Sequence, residues 1–99
     1  MSQKVYKLWR IKRWTEAWLQ LPKEEQDKIF DQVMKSLESV GGKSTIRCTS
    51  YWANEACLAW GVNAYPDLEA ALMDGENLRK MDWGRYLETE TILGISIDE

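Results

Sequence analysis

The sequence predicts an α+β domain in the order β-α-β-β-α-β, and three observations predict it. Two helical stripes alternate with four stretches rich in β-branched and aromatic residues. The connection between the second and third of those stretches is short enough for an antiparallel hairpin. The 99 residues, 44% apolar and 29% charged with two prolines, have the length and composition of one globular domain, taken as residues 1–99.

Residues 3–12 read as the first strand, with Val5, Lys7, Trp9 and Ile11 on one face and Tyr6, Leu8, Arg10 and Lys12 on the other. A short helical turn around Trp14–Leu19 follows, with Thr15 near its start. Pro22 suits a first helical position, Glu24 and Glu25 favour the helix dipole, and Ile29, Phe30, Val33, Met34, Leu37 and Val40 form one apolar stripe. Gly41 and Gly42 end that helix as a left-handed C-cap would. Residues 43–52 and 56–64 make the hairpin strands, with Ala53, Asn54 and Glu55 at the turn. Asp67 serves as cap or first-turn acid of a second helix whose stripe is Leu68, Ala71, Leu72, Leu78 and Met81, with a kink or break expected near Asp74 and Gly75. Trp83 and Tyr86 close this segment, and residues 87–97 form the last strand. That order is the ferredoxin-like, split-βαβ arrangement, in which two helices cover one face of a four-stranded antiparallel sheet.

A two-layer domain leaves one sheet face in water, and that face should be polar. Here both faces carry apolar weight: Leu58, Trp60, Val62 and Ala64 alternate with Cys57, Ala59, Gly61, Asn63 and Tyr65 in the third strand. Two helices cannot cover both sides, so a second copy stacked sheet to sheet is expected, making the chain a homodimer.

The absence of histidine excludes a His-ligated haem, a His-based metal site, and Ser-His or Cys-His nucleophiles. No metal or other cofactor is expected. The start of the chain has no signal-peptide pattern and no run reaches membrane-span length, so a cytoplasmic protein is expected; Cys48 and Cys57 fit a reducing compartment. A net charge of −3 argues against a nucleic-acid partner. Six tryptophans serve either core and interface filling or a pocket for a flat apolar ligand.

The segment Trp18-Leu19-Gln20-Leu21-Pro22-Lys23-Glu24-Glu25-Gln26 is similar to the W-L-x-L-[ST]-x-E-E-R opening of the first helix in darcynin-like proteins, departing at Pro22 and Gln26. Trp83-Gly84-Arg85-Tyr86-Leu87-Glu88 resembles their W-x-x-Y-[FL]-E lead-in to the last strand. The resemblance implies the dimeric α+β barrel superfamily, in which two such sheets pack face to face. Its members include cofactor-free monooxygenases, isomerases of small ring compounds, haem enzymes, and stress proteins without known activity. It also implies a ligand site in each protomer between sheet and helices.

Candidate ligand-binding residues are Arg10, Arg47, Tyr51, Trp60 and Asn63, as donors and an aromatic wall for a small aromatic compound. Trp60 and Asn63 have opposite parity, so they share a pocket only if a bulge at Gly61 intervenes. Glu88 and Glu90 form either an acid/base pair or salt bridges to Arg10 or Lys12. Cys48 and Cys57, opposite each other if the turn centres on Trp52 and Ala53, are a redox pair or small buried hydrophobes. Lys4, Lys7, Arg10, Lys12 and Arg13 concentrate positive charge along the first strand, a hint of an anionic ligand. The function expected is small-molecule binding, with oxygenase- or isomerase-like chemistry in view; the alternative is a non-catalytic stress or interaction protein acting as a homodimer.

Overall fold

The structure, a computed structural model, describes residues 3–53 and 56–98. Its elements are β1 (Val5–Trp14), α1 (Glu16–Leu19), α2 (Lys23–Ser39), β2 (Lys43–Thr49), β3 (Ala59–Tyr65), α3 (Leu68–Lys80), a 3₁₀ turn (Trp83–Arg85) and β4 (Leu87–Gly94). The four strands form one antiparallel sheet in the order β2-β3-β1-β4, and this is the ferredoxin-like α+β fold. Among the described residues no helix is long and apolar enough to cross a membrane.

Local chemistry fixes the element ends. Gly41 takes φ +79°, and the N–H groups of Gly41 and Gly42 donate to the carbonyls of Glu38 (3.0 Å) and Leu37 (2.9 Å). This is the Schellman pattern that satisfies the last carbonyls of a helix. Asp67 caps α3 by accepting the Ala70 N–H at 2.8 Å. Of the kink or break expected near Asp74 and Gly75, the break is absent, and α3 runs uninterrupted from Leu68 to Lys80. A mid-helix glycine costs only about 1 kcal/mol, which packing on the sheet offsets.

The hairpin strands are shorter than expected, because the chain leaves the sheet after Thr49 and rejoins it at Ala59. The Ser50 and Tyr51 N–H groups both donate to the Leu58 carbonyl, closing a wide connection rather than a tight turn; of the expected turn residues, Asn54 and Glu55 lie outside the described residues. The last strand likewise stops at Gly94, short of residue 97.

Register divides the sheet into two faces. On the helix side lie Val5, Lys7, Trp9 and Ile11 of β1, paired with Tyr65, Asn63, Gly61 and Ala59 of β3. On the outer side, Ile46, Val62, Leu8 and Ile92 stand in one row across all four strands. No bulge occurs at Gly61, since the β1–β3 register is continuous from Val5↔Tyr65 to Ile11↔Ala59. The irregularities fall instead between Ile11 and Arg13 of β1 and between Ser44 and Ile46 of β2.

Gly61 is required by close approach. A β-carbon there would stand 2.4 Å from Cζ2 of Trp9 and 2.6 Å from the Ile46 carbonyl oxygen. The Trp9 indole can occupy the helix side of the sheet only because its neighbour on β3 has no side chain. Gly61→Ala is expected to displace the indole and lower stability by about 1–3 kcal/mol in urea unfolding, with a shifted tryptophan emission maximum.

Candidate functional site

The helix layer is packed onto the sheet at two ends. At one end, Val5, Leu37, Tyr65 and Ala71 form a buried cluster, with Met34, Val40 and Ala70 against it. At the other end the aromatics gather. Trp14 and Trp18 stack at 4.7 Å, and Trp18 meets Trp83 edge to face at 5.8 Å. Phe30 and Tyr86 pack around this pair. Polar bonds lock the same corner: the Thr15 hydroxyl donates to the Arg85 carbonyl at 2.7 Å, and the Gln26 amide donates to the Trp18 carbonyl at 3.0 Å.

Between the two ends the helices stand clear of the sheet and leave a cavity of about 520 Å³. Trp9 and Ile11 of β1 face Val33 and Met34 of α2 and Leu78 of α3 across it. Phe30 and Trp83 border it on the aromatic side, and Ser44, Arg47 and Thr49 of β2 form a polar rim. This explains why the α2 stripe is correct in position yet only Leu37 of its apolar residues is buried: Phe30, Val33 and Met34 border the cavity. The size and the apolar walls suit a small-molecule site.

The inner end of the cavity is polar. Asp74 is 2% exposed. Its Oδ1 accepts the Ser36 hydroxyl at 2.6 Å and its Oδ2 accepts the Tyr65 hydroxyl at 2.5 Å. Lys7 Nζ lies 3.8 Å from Oδ2 and 5.6 Å from the centre of the Tyr65 ring. Burial holds the Lys7 amine below the usual lysine range, and the charge of Asp74 restores part of that loss. Burial, and then the hydrogen bond to Asp74, push the Tyr65 phenol well above its ordinary value. Asn63 completes this end, its side-chain oxygen accepting the Trp9 indole N–H at 3.4 Å.

The candidate residues from the sequence divide between the two faces. Arg47 and Asn63 both line the cavity. Arg10 and Trp60 are register partners on the outer face of the sheet, away from it. Tyr51 lies beyond the end of β2 and is 66% exposed. Glu88 and Glu90 are also on exposed ground, paired with Arg13 at 2.6 Å and Lys12 at 2.5 Å. The link to Lys12 holds the Glu90 carboxyl below its usual value. Cys48 sits opposite Trp60, whereas Cys57 precedes β3, so the two do not face each other; both are free thiols.

Sequence reading missed Lys7, Asp74, Tyr65 and Ser36 as a group. A signal existed for the first two. Lys7 interrupts the apolar parity of Val5, Trp9 and Ile11, and Asp74 sits three residues after Ala71 and four before Leu78, on the inner face of α3. A lysine and an acid on two facing apolar surfaces imply a buried pair. The expected stripe included Leu68 and Leu72, which are in fact 52% and 58% exposed because Asp74 takes the inward position.

No protein-family model matches the chain, and no curated protein matches it. Among solved structures it is similar to 30S ribosomal protein S6 from Thermotoga maritima, at 14% identity and a TM-score of 0.53, covering 95% of this chain and 89% of that one. At that identity the likeness is one of fold.

The pH dependence of the Tyr65–Asp74 bond follows from its direction. A phenol whose folded-state pKa lies above the unfolded value of 10.0 contributes stability that is complete below pH 10.0 and is lost as pH rises toward the folded value. Tyr65→Phe should therefore lower stability by about 1.5–3 kcal/mol at neutral pH, the range for a hydrogen bond to a charged group. The difference between wild type and variant in urea unfolding should stay constant up to pH 10.0 and shrink above it.

Proposed function

We propose that residues 1–99 act as a single domain that works as a homodimer and binds one small, flat, largely apolar compound in the sheet–helix cavity of each protomer. The observation that carries this reading is the cavity itself, about 520 Å³ walled largely by Trp9, Phe30 and aliphatic side chains, with Asp74 and Asn63 at its inner end, Arg47 at its rim and Thr89 and Thr91 of β4 along one side. Pockets of this kind enclose a ring compound and orient it by a few polar contacts. Arg47 at the rim and Asn63 inside are the donors best placed to do so.

One feature of the outer face supports the dimer. The row Ile46, Val62, Leu8 and Ile92 crosses the whole sheet, and Ile46 and Ile92 are 47% and 64% exposed in the lone chain. A second sheet stacked on this face would cover the aliphatic row. This is the dimeric α+β barrel arrangement that the resemblance to darcynin-like proteins implies. The two free cysteines suit a reducing, cytoplasmic compartment. The structural neighbour is a ribosomal protein by name, but a net charge of −3 opposes an RNA-binding role here.

The second reading, a non-catalytic protein that docks other macromolecules, is favoured by Leu68, Leu72 and Met73, all half-exposed or more on the outside of α3. The two readings separate by experiment. Under the first, 2-naphthol quenches tryptophan emission and raises the melting temperature, and Val33→Trp, which fills the cavity, abolishes both effects. Sedimentation finds dimers at micromolar concentration, and Ile92→Glu converts them to protomers. Absence of any response to 2-naphthol or related ring compounds would remove the binding role, and protomers alone in the wild type would remove the dimer.

A further inference from the structure

We infer that Lys7 is a nucleophilic amine that condenses with an aldehyde or ketone group on the cavity's ligand to form an imine; this deepens the small-molecule reading above and rests on it. Lys7 enters the cavity from the middle of β1, between the apolar positions Val5 and Trp9, so its aliphatic stem is packed and its amine is held at the inner end. Its side chain is only 12% exposed. The separation from Asp74, 3.8 Å, exceeds an ordinary hydrogen bond of about 2.7–3.2 Å, so the amine is paired by charge yet not held by a short bond. Asp74 also accepts the hydroxyls of Ser36 and Tyr65, so Lys7 is one of three partners of its carboxylate. An amine desolvated in apolar surroundings is the arrangement that carbonyl condensation uses. The depressed basicity of the Lys7 amine agrees with that role.

The step balances without any redox partner. Lys7 Nζ, as free amine, adds to the carbonyl carbon, the carbonyl π pair moves to oxygen, and one proton passes from nitrogen to that oxygen. Protonation of its hydroxyl lets the resulting carbinolamine expel that oxygen as water while the nitrogen lone pair forms the C=N bond and nitrogen gives up its second proton. One amine and one carbonyl give one imine and one water. Each of the two protons that nitrogen loses is matched by one that oxygen gains, and Asp74, the carboxylate 3.8 Å from Nζ, relays them once the Lys7 side chain closes that gap, with the Tyr65 hydroxyl held on its Oδ2. The aromatic and aliphatic walls select a carbonyl attached to a ring or an apolar chain.

The test is reductive trapping of the whole chain at neutral pH with 2-naphthaldehyde and sodium cyanoborohydride, read by intact mass and peptide mapping. The expected result is a single early adduct on Lys7, formed at least about tenfold faster than the average at exposed lysines, because a desolvated amine is more often unprotonated. Excess 2-naphthol should protect Lys7 and leave surface labelling unchanged, and Lys7→Arg should lose the early adduct alone. If Lys7→Arg does not fold, the 2-naphthol protection in the wild-type protein decides. Labelling spread over exposed lysines with no excess at Lys7, while 2-naphthol still quenches tryptophan emission, would overturn the imine and leave the binding site standing. No quenching and no Lys7 adduct would overturn both.

Discussion

A carboxylate taken out of water must be matched by donors and by charge, and Asp74 collects its matches from three other elements. Ser36 comes from α2, Tyr65 from the end of β3 and Lys7 from β1. The requirement fixes how far each helix can slide over the sheet, because shifting either one would leave a buried hydroxyl or charge unpaired. It also fixes the depth of α3: with Asp74 turned inward, Ala71 is buried beside it while Leu68 and Leu72 are turned out. The aliphatic cluster of Val5, Leu37 and Ala71 then packs around an already determined frame.

At the far end of the sheet the constraint is shape rather than charge. Trp14, Trp18, Phe30, Trp83 and Tyr86 are large and rigid, and their edge-to-face contacts hold α1, α2 and the 3₁₀ turn at the distance that indole rings set. A helix supported on bulky rings at one end and on a polar cluster at the other cannot settle fully onto the strands between. The cavity follows from these two supports. Gly61 contributes by letting the Trp9 indole form part of the sheet-side wall instead of pushing a β3 side chain into the space.

The element order and both sheet faces were legible in the sequence, because alternation in β1 and β3 and the stripe on α2 are strong periodic signals. The Asp67 cap and the Gly41–Gly42 stop were legible for the same local reason: each is chemistry within a few residues. The site was legible only in part. Arg47 and Asn63 were named and do line the cavity, but they were grouped with Arg10 and Trp60, which the unbroken register puts on the other face. A kink or break was expected near Asp74 and Gly75 because the glycine interrupts the stripe, and that expectation left the three partners of the acid out of account. Those partners are 9, 38 and, for Lys7, a whole strand–helix–hairpin away in the chain, and no local pattern reports them.

Whether the space between the two supports is a true apolar cavity is the question on which the site depends. Diffraction from crystals pressurised with xenon answers it most directly, since xenon enters dry apolar space and avoids hydrated or filled sites. The structure predicts xenon beside Trp9, Val33 and Met34, with α2 held off the sheet. Crystals with no xenon there, and with α2 settled so that its side chains fill the gap, would contradict it.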